Sequence, residues 1–255
     1  MSLPLVSLQN IAVRYRKKQV LRELSGDFYA GEVVGVIGRG GVGKTQLLRV
    51  LTTLLRPNTG TLVLMGKTVV WWQRRTLVEV RKSVGLQFQN FALFDFLDVH
   101  HNVTFPLEHQ GILGAEEISS RAREALDRVG LASAATLFPG ELSGGMRRRV
   151  AIARVMAARP PIAVFDDPVA GLDPINSAKI MRLLGDFAQE GKRVVFVATH
   201  DLERLFPVAT RLLFLHNGAV DYDGPTSQRH LATSPRFLDF VEAATETAAD
   251  FSSTV

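Results

Sequence analysis

The sequence predicts an α/β protein built on a parallel sheet covered by helices. Three observations carry that expectation. Short apolar runs rich in β-branched residues recur at Val33-Val34-Gly35-Val36-Ile37, Ile162-Ala163-Val164-Phe165 and Val194-Val195-Phe196-Val197-Ala198, none with an interior proline. Helical spacing follows the first run through Leu47, Leu48, Leu51, Leu54 and Leu55. It also joins the other two runs through Ile180, Met181, Leu184 and Phe187. Parallel strands linked by crossover helices need this alternation.

The remaining elements follow in order. Residues 6–15 and 20–29 carry short alternating runs, which read as an N-terminal antiparallel β-subdomain. Residues 90–158 hold helical patterns at 121–129 and 146–157 and no convincing strand, so an α-helical subdomain is inserted into the α/β core. Leu212-Leu213-Phe214-Leu215 reads as a late strand ending at the Asn217-Gly218 hairpin turn. Residues 1–242 form one domain in this reading. Residues 243–255, polar and small, form a tail that is either frayed or a docking extension.

Composition narrows the class. With 46% hydrophobic and 22% charged residues, the 255-residue chain is neither disordered nor fibrous and can bury a substantial core. It has no cysteine, which excludes disulfides and thiolate metal sites. No signal peptide is expected, and no run approaches the roughly 18 apolar residues of a membrane span. The net charge is +5, with basic clusters at residues 14–18 and 147–149. They are read chiefly as solvated surface, with lipid headgroups, nucleic acid and nucleotide phosphates as alternatives.

The chemistry is concentrated in a few motifs. Gly38-Arg39-Gly40-Gly41-Val42-Gly43-Lys44-Thr45 follows a predicted strand and opens a predicted helix, the context a phosphate-binding loop requires. Glycines let backbone N–H groups turn toward phosphate oxygens, and the helix N-terminus adds partial positive charge. Lys44 reaches toward β- and γ-phosphates, and Thr45 offers a hydroxyl to Mg²⁺. Asp166 leaves an apolar strand at the end where open α/β sheets bind ligands, a suitable place for a metal-anchoring carboxylate. Asp167 follows it, placed to polarise an attacking water. Leu142-Ser143-Gly144-Gly145-Met146 forms a second helix N-terminus able to meet an anion.

Taken together, these motifs resemble the ATPase subunits of ABC transporters over nearly the whole chain, about residues 5–243. The resemblance implies a P-loop NTPase with a RecA-like core, with ATP and Mg²⁺ bound. Ser143, Gly144 and Gly145 are similar to the family's signature motif. Gln89 looks like the glutamine that senses Mg²⁺ and the attacking water, and Asp173 like the aspartate at the subunit contact. His200 looks like the switch histidine at the γ-phosphate, and Tyr15 like the aromatic that stacks on adenine. The resemblance further implies a second copy of the chain, each copy's signature completing the other's site. It also implies an integral membrane permease, docked by a groove near Gln89; Phe91, Phe94, Phe96 and Phe105 cluster there, either for that partner or as part of the core. The chain would then sit at the cytoplasmic face of the inner (plasma) membrane.

Two stretches narrow the resemblance. Phe91-Ala92-Leu93-Phe94-Asp95 leading into Asn102-Val103-Thr104-Phe105-Pro106-Leu107, and Met146 where most relatives have glutamine, are similar to Mla-type, MCE-associated lipid transport ATPases. That branch implies an MCE-domain lipid carrier and a small regulatory subunit as partners. An importer for a polar solute is the alternative. A DNA-repair or chromosome-structure ATPase is disfavoured, because no long coiled coil separates Thr45 from Leu142, and no nucleic-acid partner is expected.

One departure stands out: Asp167 occupies a position where the family has glutamate. The side chain is shorter by one carbon–carbon bond, roughly 1.5 Å. Misplacement by about 1 Å costs around 10²-fold in rate, so a weakly hydrolysing, nucleotide-operated clamp is a further alternative. Gly40 stands where serine is frequent, and His101 where an acidic residue is.

Overall fold

The computed structural model describes residues 3–16, 18–111 and 113–252. Strands β1 (Val6–Tyr15), β2 (Lys18–Phe28) and β3 (Val33–Ile37) come first, then helix α1 (Lys44–Leu51) and strands β4 (Thr59–Leu64) and β5 (Lys67–Thr68). Next are α2 (Arg74–Lys82), β6 (Val84–Gln87), and the helices α3 (Val99–Gln110), α4 (Ala115–Arg128) and α5 (Gly144–Ala158). The chain continues through β7 (Ile162–Asp166), α6 (Pro174–Glu190), β8 (Val194–Ala198) and the single turn α7 (Leu202–Leu205). It finishes with β9 (Arg211–His216), β10 (Ala219–Pro225) and α8 (Pro235–Ser252).

The expected parallel sheet has the order β10-β9-β3-β8-β7-β6, with only β10 antiparallel, as an edge hairpin with β9. The expected antiparallel subdomain is a second sheet, β2-β1-β4-β5. Strand periodicity divides the interior between two cores. Val33, Ile37, Ala163, Phe165, Val195 and Val197 belong to the core shared with the helices α3 to α6. Their neighbours Val34, Val36, Ile162, Val164, Val194 and Phe196 face α1 and the antiparallel sheet. Because both faces are covered, β3 and β8 are buried at every residue, which is why they read as unbroken apolar runs.

The inserted helices α3, α4 and α5 pack on one another. Buried Asn102 anchors α3 to the loop before it: its Nδ2 donates to the carbonyls of Phe94, Leu97 and Asp98, and its Oδ1 accepts the Phe94 N–H. His101 helps close the start of α3, its N–H donated to Asp98 Oδ1 at 2.7 Å. Three strands escaped the sequence reading: β4, the two-residue β5, and β6 (Val-Gly-Leu-Gln), too short to show a period. Helix α3 also escaped it, because Pro106 interrupts the pattern. At the other end α8 runs across residue 243, where a tail was expected to begin. Alanines and glutamates there are good helix formers. Phe237, Phe240 and Ala244 pack against the core, while residues 253–255 lie outside the described residues.

Candidate functional site

Three parallel strands, β3, β7 and β8, end at the mouth of one cleft of about 450 Å³. It is lined by Tyr15, Gly41, Gly43, Lys44, Thr45, Gln89, Asp166, Asp167, Thr199 and His200, together with Val20, Gln46 and Ala198. Residues up to 185 positions apart are gathered here because a parallel sheet delivers all its carboxyl ends to one edge.

The loop after β3 takes its shape from backbone conformations that side chains resist. Gly38 has φ +142° and Gly43 φ +117°. A Cβ at Gly38 would meet the Leu215 carbonyl oxygen at 2.5 Å, and one at Gly43 the Leu21 side chain at 2.7 Å. Over Gly40 and Gly41 no atom lies within 4 Å of where a Cβ would be, so the loop is open on its ligand side. With Arg39 and Val42 they complete the loop, and the Val42 N–H donates to the Arg39 carbonyl. Gly43 caps α1 without a side chain, which leaves the first N–H groups of that helix for a ligand. Lys44 Nζ donates to the carbonyls of Gly38 at 2.7 Å and Arg39 at 3.2 Å. Burial lowers its pKa, and the carboxylates of Asp166 and Asp167 oppose that shift.

Asp166 ends β7 beside Thr45, whose hydroxyl hydrogen-bonds to it. Burial raises the Asp166 carboxyl pKa and Asp167 adds to the rise, against the Thr45 bond and the charges of Lys44 and Arg49. No cluster of three or more His, Asp or Glu side chains fit to hold a metal exists among the described residues. A cation here would take most of its ligands from water and phosphate, which is the habit of Mg²⁺. A loop open to an anion, a lysine with only carbonyl partners, and Asp166 beside Thr45 therefore fit Mg²⁺ and a nucleotide triphosphate.

Asp167 turns away from the sheet at φ +54°, a left-handed conformation that Asp tolerates better than most residues. Its N–H still donates to Ala198 at 2.8 Å. Its Oδ1 accepts the Thr199 hydroxyl at 3.2 Å, and Thr199 is buried at 2% exposure. Thr199 was missed by sequence reasoning, although its place beside His200 at a strand end was a usable signal. Gln46 was missed as well: its Oε1 accepts the Tyr15 hydroxyl at 3.0 Å and steadies a ring that is 46% exposed. Gln89 and His200 are both exposed within the cleft, as a residue meeting a ligand must be.

Ser143, Gly144 and Gly145 are not among the residues lining the cleft. Ser143 caps α5, its Oγ accepting the Met146 N–H at 3.2 Å. Asp173 caps α6 by accepting from the N–H groups of Ile175 and Asn176. Beside it Ile175 is 70% exposed, an aliphatic side chain the sequence reading did not single out.

A second depression, of about 600 Å³ and more apolar, lies between α2, the loop after Gln89 and α5. Phe88, Ala92, Phe94, Pro106, Val155 and Ala158 contribute to it. The four phenylalanines named from sequence divide their roles. Phe94 packs on Phe105 at 4.5 Å and Phe96 at 5.7 Å, Phe96 is 75% exposed, and Phe91 lies under the Arg148 guanidinium at 5.0 Å.

Comparison with known proteins decides the family. Residues 21–170, more than half of the chain, match the family model described as ABC transporter. This chain belongs to the ABC transporter family. A methionine import ATP-binding protein of Carboxydothermus hydrogenoformans is 34% identical over 86% of this chain. The chain spans 66% of that relative's length and 60% of a Brucella abortus methionine import protein's. The octopine permease ATP-binding protein P of Rhizobium radiobacter is 32% identical over 88% of this chain and 89% of its own. Among solved structures, the dimeric ATP-binding cassette MJ0796 in a post-hydrolysis state with ADP and Pi superposes with a TM-score of 0.81. It is 31% identical and covers 87% of this chain and 98% of its own. The chain thus has the ABC ATPase cassette fold, with the antiparallel subdomain and the helical insert that the sequence predicted.

No helix among the described residues is long and apolar enough to cross a membrane.

Proposed function

We propose that this chain is an ATP-hydrolysing subunit of a transport complex, working as a pair of copies closed around Mg²⁺ and ATP and driving a separate permease. The observation that carries the reading is the single cleft holding Lys44, Thr45, Asp166, Asp167, Gln89 and His200. In it Lys44 exchanges its loop carbonyls for β- and γ-phosphate oxygens, and the N–H groups at the start of α1 hold the remaining charge. Thr45, Asp166 and Gln89 hold Mg²⁺, which supplies charge neutralisation on the phosphates. Asp167, oriented by Thr199, accepts a proton from the attacking water, and His200 donates to the γ-phosphate. Tyr15 stacks on the base. Ser143, Gly144 and Gly145 meet the nucleotide of the second copy. The dimeric state of the MJ0796 cassette supports that arrangement.

For the cargo, the methionine and octopine import relatives favour an importer of a small polar solute over the lipid transport that the sequence suggested. An Mla-type role, with an MCE-domain carrier and a small regulatory subunit, is the second reading. It rests on Met146 and on residues 91–95 and 102–107. Purifying the complex from native membranes separates the two: a solute-binding protein in the complex supports the first, an MCE-domain protein the second. The docking groove beside Gln89 and Phe94 would take the permease in either case, placing the chain at the cytoplasmic face of the inner membrane.

The test of the motor itself is steady-state ATPase activity for the wild type and Asp167→Asn. The wild type should hydrolyse ATP, and the variant should lose about 10²- to 10⁴-fold of the rate, the worth of a positioned general base. A rate at background in both, with ATP still bound, leaves a nucleotide-operated clamp as the better account.

A further inference from the structure

Arg154, on the inward face of α5, is 9% exposed. Among the described residues no carboxylate pairs with it, and burial alone pushes its pKa down to about 10. A guanidinium held this way without a counter-charge needs strong neutral acceptors. It has two. Nη1 donates to the Ala92 carbonyl at 2.7 Å and Nη2 to the Phe91 carbonyl at 2.8 Å. Both acceptor residues stand in the left-handed region, Phe91 at φ +65° and Ala92 at φ +47°. For such residues that conformation is strained and persists only where the surroundings impose it. Their N–H groups are used too, Phe91 donating to Phe88 and Ala92 to Asn90. The turn immediately after Gln89 is therefore fixed at every backbone group of its two strained residues.

The placement of this fork gives it a consequence. Gln89 lies in the nucleotide cleft, and Ala92 and Phe94 line the apolar groove. Arg154 sits about 15 Å along α5 from Gly144, at 1.5 Å per residue, and Ser143 caps the far end of that helix. A second arginine of α5, Arg148, lies over the Phe91 ring at 5.0 Å. One rigid helix thus carries the signature residues at one end and grips the turn beside Gln89 nearer the other.

We propose that Arg154 is a positioning residue: its fork holds the Phe91–Ala92 turn so that Gln89 enters the cleft, and it ties that turn to the helix that bears Ser143. The proposal rests on the ATPase reading above. It concerns turnover rather than ATP binding, because the Arg154 fork bonds to the turn after Gln89 and not to the phosphate loop.

The test uses the full chain with Arg154→Met, which keeps bulk and removes the donors, and Arg154→Lys, which keeps the charge. ATPase kcat and KM are measured beside the amide exchange rates of residues 88–93. Both variants should keep KM within about twofold and lose about ten- to a hundredfold in kcat, the scale of an ångström-sized misplacement. Lysine should fail to rescue, because one ammonium cannot reproduce a planar fork across two carbonyls. Exchange at Phe91 and Ala92 should accelerate while β3 and β8 stay protected. An unchanged kcat in folded Arg154→Met, or unchanged exchange at Phe91 and Ala92, overturns the proposal. If the wild type itself does not turn over ATP, the ATPase reading fails, and the exchange comparison alone decides whether Arg154 holds the turn.

Discussion

Helix α1 begins at Gly43 with no side-chain cap, whereas α5 begins at Ser143, whose Oγ already accepts the Met146 N–H. Both starts are flanked by glycine, and both present helix N–H groups to an anion. What surrounds them differs. Around α1 the same chain supplies Lys44, Asp166, Gln89 and His200 within one cleft. Around α5 Ser143, Gly144 and Gly145 stand outside that cleft, with exposed Ile175 at the start of neighbouring α6. The first terminus is a site in itself. The second is half of one in the proposed arrangement, where a second copy would bring phosphates to it.

The comparison predicts unequal responses to mutation. Lys44→Ala strikes the self-sufficient half and should lower ATP hydrolysis by about 10²- to 10³-fold, the worth of a preorganised donor at developing charge. A phosphate-release assay that finds less than a tenfold loss would remove Lys44 from the machinery. Thr199→Val keeps the shape and deletes one hydrogen bond to Asp167. A bond of about 1 kcal/mol corresponds to roughly fivefold in kcat. An unchanged kcat would mean that the left-handed backbone at Asp167 orients the carboxylate unaided.

The smallest effect is on stability, and its sign is opposite. Burial raises the Asp166 carboxyl pKa, so the fold disfavours the charged form. The folded state then binds this proton more tightly than the unfolded chain does. Stability is gained as pH falls through the raised value toward the ordinary carboxylate pKa, and it is forgone at neutral pH. Asp166→Asn should therefore melt slightly higher than wild type at pH 7 while losing hydrolysis, a common trade between site and stability. A lower melting temperature would show that the bond to Thr45 and the charges of Lys44 and Arg49 outweigh the desolvation.

The parts of the molecule that sequence made legible share a physical cause. Strands β3, β7 and β8 are covered on both faces and so carry an unbroken apolar signal, and the phosphate loop needs glycines at fixed places. The edge strand β6 has neither property, and Pro106 hides α3. Tyr15, Lys44, Thr45, Gln89, Asp166, Asp167 and His200 were read as a set and lie together in the cleft. Thr199, Gln46 and Arg154 were not read, because each acts through one contact across the fold: with Asp167, with Tyr15, and with the turn after Gln89. A lone threonine or a helical arginine carries no pattern that spacing can reveal. The left-handed backbone at Asp167 was equally invisible, and it gives a reason for aspartate at a position where glutamate was expected.

The central claim is that two copies share each nucleotide, and sedimentation of the Asp167→Asn chain with and without Mg²⁺ and ATP tests it most directly. With the carboxylate proposed to activate water neutralised, bound ATP should persist and hold two chains together. The account predicts a monomer without nucleotide, a dimer with it, and a return to monomer when Ser143→Arg is added. A chain that binds ATP yet stays monomeric, or a dimer that ignores Ser143→Arg, would contradict it.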